Sequence, residues 1–133
     1  DPSNATFTFD DSTITLSQGV SEDQDQETTL LDKRAYGDVN GEGKQDAVVL
    51  LAQSGGGSGT FIYAGAYVSG TVSYKGTNTI FLGDRITPQS ITVNDSSITV
   101  NFLDRREDEP FSAEPTILVS KQFVYQNGEF QEK

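Results

Sequence analysis

The chain reads as an all-β domain, an antiparallel β-sandwich or partly open β-barrel of roughly nine to eleven strands with little or no helix. Three observations predict this. Apolar residues recur at period two, as in Ala5-Phe7-Phe9 and Ile14-Leu16, with Thr between them; that period puts alternate side chains on one face of a strand. Turn residues separate the β-rich segments at short spacing. No stretch of about eleven residues keeps an i, i+3, i+4, i+7 apolar stripe free of Gly and Pro.

In chain order, strands are predicted near 5–9, 13–17, 28–36, 46–53, 60–69, 71–75, 78–82, 88–94, 97–103, 116–126 and 129–132. They form a single domain over 1–133, with residues 1–4 as a flexible N-terminal segment. Val20 to Glu27, with four acidic residues in eight, reads as an acidic loop. Ser54 to Gly59 reads as a flexible loop between two apolar strands, not a domain linker. It does not read as a phosphate cradle, because Thr60-Phe61-Ile62-Tyr63 continues as a strand where a cradle needs a helix. Asn94-Asp95-Ser96 marks one hairpin, and Asn127-Gly128 marks a second with a type I′ turn. Asp104 to Pro110, followed by Pro115, reads as a long irregular crossover before the last hairpin. No internal repeat of about 20–50 residues is present, which counts against a propeller.

Composition excludes several functions. The 133 residues include 20 acidic and 9 basic side chains, a formal net charge of −11. Such a chain is poorly suited to phosphate backbones or anionic membrane surfaces, which recruit clustered Lys and Arg. It favours cations, basic partners or simply solubility. The chain has no Cys and no His. A disulfide framework, a thiolate nucleophile, a Cys zinc site and a Ser-His-Asp triad are therefore all ruled out. No apolar run approaches the ~18 residues of a transmembrane helix. The lack of any Met is read as the mark of a processed or trimmed product, in keeping with a removed leader.

One segment carries a nameable chemistry. Asp38-Val39-Asn40-Gly41-Glu42-Gly43-Lys44-Gln45-Asp46 places oxygen side chains at loop positions one, three, five and nine around Gly43 at position six. Hard cations such as Ca²⁺ take six to eight oxygens, and a glycine at the sixth position lets the backbone turn sharply. The candidate ligands are Asp38, Asn40, Glu42 and Asp46 through their side chains and Lys44 through its carbonyl. The loop joins two predicted strands, and position twelve is Val49, not the bidentate Glu that an EF-hand needs. With three carboxylates, affinity is expected in the extracellular range of about 10⁻⁴–10⁻³ M. Asp84 or Asp104 would raise it by completing the shell. The competing reading is an acidic hairpin loop turned by Asn40-Gly41 without any ion.

The same nine residues resemble the D-x-N-x-D-G-x-x-D loops of dockerins and of FG-GAP or VCBS-type β repeats. That resemblance implies calcium chelation by the matching residues, with Glu42 standing where those loops carry Asp. More broadly, the run from Tyr36 to Pro115 is similar to a kind of uncharacterised bacterial exported or lipoprotein β domain. Gly37 to Gly43, Gly56 to Phe61, Phe81 to Ile86, Val100 to Arg105 and Glu109-Pro110 carry that similarity. It implies export to the periplasm, cell surface or medium, with a lipid anchor on a Cys of the leader.

A second constellation lies at two strand ends. Gly83-Asp84-Arg85 and Leu103-Asp104-Arg105 each put Asp-Arg directly after an apolar strand, with Glu109 nearby. Asp84, Arg85, Asp104, Arg105 and Glu109 form either a ligand site at one rim or salt-bridged strand ends that hold the long crossover, and the latter is the simpler reading. The aromatics Phe61, Tyr63 and Tyr67 share one parity on one strand. They are core in the plainer reading and an exposed binding strip in the other.

The expected function is a non-catalytic calcium-binding module of the cell envelope or exterior, with no catalytic residues assigned. Two alternatives stand beside it. One is a small hydrolase acting through paired carboxylates, which needs a cleft holding two of them within about 10 Å. The other is a metal-independent interaction domain whose acidic surface meets a basic protein.

Overall fold

The structure, a computed structural model, describes residues 2–10, 12–23, 26–55, 59–70, 73–94, 96–106, 108–110 and 113–133. Twelve strands are β1 Thr6–Phe9, β2 Ser12–Thr15, β3 Val20–Asp23, β4 Gln26–Gly37, β5 Asp46–Ser54, β6 Thr60–Ser69, β7 Tyr74–Gly76, β8 Ile80–Asp84, β9 Thr87–Asn94, β10 Ser97–Asp104, β11 Ile117–Gln126 and β12 Glu129–Glu132. A single 3-10 turn, Pro2–Asn4, precedes them, and Pro2 is buried. The domain is all-β and sandwich-like, not a closed barrel. Among the described residues no helix is long and apolar enough to cross a membrane.

Three sheets form three layers. The middle layer is six-stranded, in the order β3-β4-β5-β6-β7, with β8 also pairing with β6. A four-stranded meander, β12-β11-β10-β9, makes the second layer, and the hairpin β1-β2 makes the third. Alternation along β5 and β6 explains the stacking. Val48 pairs with Ala66 and Leu50 with Ala64; these side chains meet Ile98, Val100, Phe102, Phe123 and Phe130 of the meander. Ala47, Val49 and Leu51 point the other way and pack under Ala5, Phe7, Phe9 and Leu16. Strand β5 is therefore apolar at every position from Ala47 to Leu51 because both of its faces are covered.

Local chemistry fixes the joints. Asn127 (φ 56°) and Gly128 (φ 79°) both sit at positive φ, as a type I′ hairpin requires. Asn94 pairs with Ser97, so β9 and β10 form the expected hairpin, although Asp95 lies outside the described residues. Gly76 allows the third layer to seat: a Cβ there would stand 2.3 Å from the Thr6 carbonyl oxygen. Asn78 ties all three layers together. Its backbone pairs with Thr8, while its side chain donates to the Phe130 carbonyl (2.8 Å) and accepts from the Phe130 N–H (2.9 Å).

Three expectations need correction. Val20–Asp23 is not loop but β3, an edge strand paired with β4 from Val20↔Thr29 to Asp23↔Gln26. Its acidic composition suits an edge, where charge discourages further pairing. Residues 105–116 are not a crossover, since β10 and β11 are antiparallel neighbours from Asp104↔Ile117 to Ile98↔Phe123. The short strand expected at 71–75 runs instead over Tyr74–Gly76, and residues 71 and 72 lie outside the described residues. Residues 24, 25 and 56–58, expected in loops, lie outside them as well.

Candidate functional site

Loop 38–46 connects β4 to β5 at one end of the middle sheet. Its turns are made where the sequence places glycine: Gly41 has φ 79° and Gly43 φ 84°. Asp38 closes the loop on itself. Its Oδ1 accepts the Gly41 N–H (2.9 Å) and its Oδ2 accepts the Gly43 N–H (2.8 Å). Asn40 works in two directions. Its Oδ1 accepts the Glu42 N–H (3.1 Å), and its Nδ2 donates to the Ser69 carbonyl on β6 (2.8 Å). Glu42 and Lys44 are exposed on the outer side of the loop.

Asp46 differs from the others. It is buried, at 1% exposure. Its Oδ2 accepts the N–H groups of Val39 (2.9 Å) and Asn40 (3.4 Å), and its Oδ1 accepts that of Ser69 (2.8 Å). One carboxylate thus satisfies three N–H donors that neither sheet nor turn supplies with a partner, joining the loop to β6. The spacing identified Asp46 as an oxygen donor; it did not reveal this inward direction. Among the described residues, no three acidic side chains cluster closely enough to hold a metal ion between them.

The structure does bring the rim residues together, at the ends of β8 and β10. Asp84 Oδ1 accepts the Thr60 N–H (2.9 Å), and Arg85 pairs with the same carboxylate at 3.4 Å. Arg105 Nε donates to the Ala113 carbonyl (2.6 Å) and its Nη1 to the Asp84 carbonyl (3.2 Å). Asp104 Oδ1 accepts the Arg105 N–H (2.8 Å), and Glu109 Oε1 accepts that of Arg106 (2.8 Å). Apart from the Arg85–Asp84 pair these bonds run to backbone, and the two from Arg105 tie Ala113 to the ends of β8 and β10, as a structural anchor does.

Sequence reasoning left one feature unassembled. The face of the middle sheet that carries the β1-β2 hairpin is covered only at its centre. On one flank Tyr63 meets Phe9 edge-on at 5.0 Å and Phe81 at 5.5 Å, while Phe61 and Phe81 remain exposed. Burial raises the Tyr63 phenol above its ordinary value, and the charge of Asp10 adds to the rise. On the other flank, Tyr36 and Tyr67 both lie opposite Ala47 in the register. Tyr67 stacks on Tyr74 at 5.3 Å, and Tyr74 donates its hydroxyl to the Gln45 carbonyl (2.8 Å). A cleft of about 350 Å³ opens there, lined by Pro2, Arg34, Tyr36, Ala47, Tyr67 and Tyr74, with Gln45 and Asp46 at the loop end. The signal in the sequence was the shared parity of Phe61, Tyr63 and Tyr67, but strand register was needed to join it to Tyr36. Among the described residues, the clefts beside Tyr36 and Tyr74, beside Asp38 and Val93, and beside Thr6 and Lys75 are each lined by at most one carboxylate.

No protein-family model, curated protein or solved structure matches this chain.

Proposed function

We propose that the chain is a non-catalytic β module of the bacterial cell envelope or exterior, with loop 38–46 as a calcium-binding clamp. One observation carries the reading. Asp38 at position one draws the N–H groups of positions four and six inward, with Gly41 and Gly43 both at positive φ. This winding concentrates oxygen donors on one short exposed loop. Asp38, Asn40 and Glu42 would supply side-chain oxygens and Lys44 its carbonyl, with water filling the remaining positions. Asp46 would hold the loop in place through its three N–H bonds, so its role is positioning rather than direct coordination. Two carboxylates and neutral oxygens suit the modest affinity of extracellular calcium sites, about 10⁻⁴–10⁻³ M. Calcium at such levels is met outside the cytoplasm, which supports export.

A melt with calcium against a melt in EDTA, at matched ionic strength, tests the proposal. Calcium at ~100 times its dissociation constant adds about 2.7 kcal/mol, a rise of roughly 10 °C for a domain of this size. Magnesium, which demands tighter octahedral geometry and gives up water reluctantly, should produce a much smaller rise. Equal melting in all three conditions would defeat the calcium reading.

A second reading is favoured by a specific observation. Asp38, Asn40 and Asp46 already accept backbone N–H bonds within and beneath the loop. Such a loop is self-closed and needs no ion, and the domain would then act as a metal-independent interaction module. The same melts separate the two readings.

A further inference from the structure

We propose that the tyrosine cleft beside loop 38–46 is a binding site for a ring-bearing carboxylate, with Arg34 as the anion receptor. The inference stands apart from the calcium reading, because none of its contacts runs through an ion. Three observations carry it. First, the cleft is built by register across four strands: Tyr36 on β4 and Tyr67 on β6 flank Ala47 on β5, and Tyr74 on β7 stacks on Tyr67. Its volume of about 350 Å³ lies within the range of small-molecule clefts, about 300–1,000 Å³. Second, the walls are phenol rings with a buried proline, Pro2, at the edge, and Tyr36 remains 54% exposed. Ring faces of this kind take up flat or chair-shaped rings.

Third, Arg34 is a half-buried cation in the wall of this cleft. A register shift between Leu30 and Arg34 against β5 puts it opposite Val49, on the same face as Tyr36. The chain has 20 carboxylates for 9 cations, yet among the described residues none pairs with Arg34. A guanidinium is a planar fork that fits a carboxylate with two bonds. The one carboxylate lining the cleft, Asp46, is engaged by three backbone N–H groups, so an anion for Arg34 would come from a ligand, and the aromatic walls specify the body that carries it. A uronic acid within a polysaccharide and a planar aromatic acid share this chemistry.

Titration of the full chain with digalacturonate, with benzoate and with the neutral disaccharide cellobiose, followed by backbone amide NMR, tests the proposal and separates the two sources. The expected result is saturable shifts at Tyr36, Ala47 and Tyr67 with at least one of the carboxylates. Digalacturonate binding assigns the sugar acid, and benzoate alone assigns the aromatic acid. Arg34→Gln should weaken that binding by about tenfold or more. Tyr36→Ala should weaken it similarly, while Phe81→Ala, on the other side of the hairpin, should leave it unchanged. The spectra themselves report whether each variant folds. The proposal is overturned if neither carboxylate shifts the cleft resonances. It is equally overturned if cellobiose binds as tightly and Arg34→Gln changes nothing.

Discussion

Loop 38–46 and the rim at the ends of β8 and β10 are both acidic strand ends whose carboxylates accept backbone N–H groups, yet among the described residues only the rim holds an ion pair. At the rim the protein supplies its own cations: Arg85 pairs with Asp84, and Arg105 bridges the Ala113 and Asp84 carbonyls. In the loop, Asp38 and Asp46 meet only backbone N–H groups. Among the described residues no Lys or Arg forms an ion pair with either of them. N–H dipoles organise a carboxylate but leave its net charge uncompensated, whereas a guanidinium neutralises it. A corner with internal cations has little use for an added ion. A corner with oriented, uncompensated oxygens is where an external cation gains most.

Substitutions sharpen or break this contrast, in descending order of effect. Asp46→Ala leaves three N–H groups without their acceptor in a buried position and should cost about 3 kcal/mol or more in chemical denaturation. A loss under about 1 kcal/mol would mean that the loop re-forms without its staple. Arg105→Ala removes two charge-assisted bonds to carbonyls. It should cost about 2 kcal/mol and leave any calcium-induced rise in melting temperature intact. If that rise vanished, the two corners would not be independent. Gly43→Val forces a β-branched residue to φ 84° and should cost about 1–2 kcal/mol even in EDTA. An unchanged melt there would refute the turn at position six. Asp38→Ala loses two bonds on an exposed loop, about 1 kcal/mol in EDTA, but should abolish the whole calcium response. Glu109→Gln changes one exposed N–H acceptor and should stay within about 0.5 kcal/mol with the calcium response preserved.

Much of the fold was legible because each strand answers to its own neighbours. Ile98, Val100 and Phe102 alternate in sequence and are all buried against the middle sheet. Asn127-Gly128 specified a turn by local sterics alone. What escaped was set by partners distant in sequence. Val20–Asp23 reads as loop until Thr28 and Thr29 of β4 lie beside it. Residues 105–116 read as a crossover because two prolines and a run of charge say nothing about which strand comes next. The loop's oxygen pattern was visible in nine residues, but the burial of Asp46 depends on Ser69, which is 23 residues away. The tyrosine cleft was invisible for the same reason, since Tyr36, Tyr67 and Tyr74 become neighbours only through the pairing of four strands.

The measurement closest to the central claim is calorimetric titration of the chain with calcium, repeated on Asp38→Ala and Glu109→Gln. Calcium clamping predicts a single site with a dissociation constant of about 10⁻⁴–10⁻³ M, lost in Asp38→Ala and retained in Glu109→Gln. No saturable heat in the wild type, or equal binding by Asp38→Ala, would contradict it and leave loop 38–46 as a corner closed by its own hydrogen bonds.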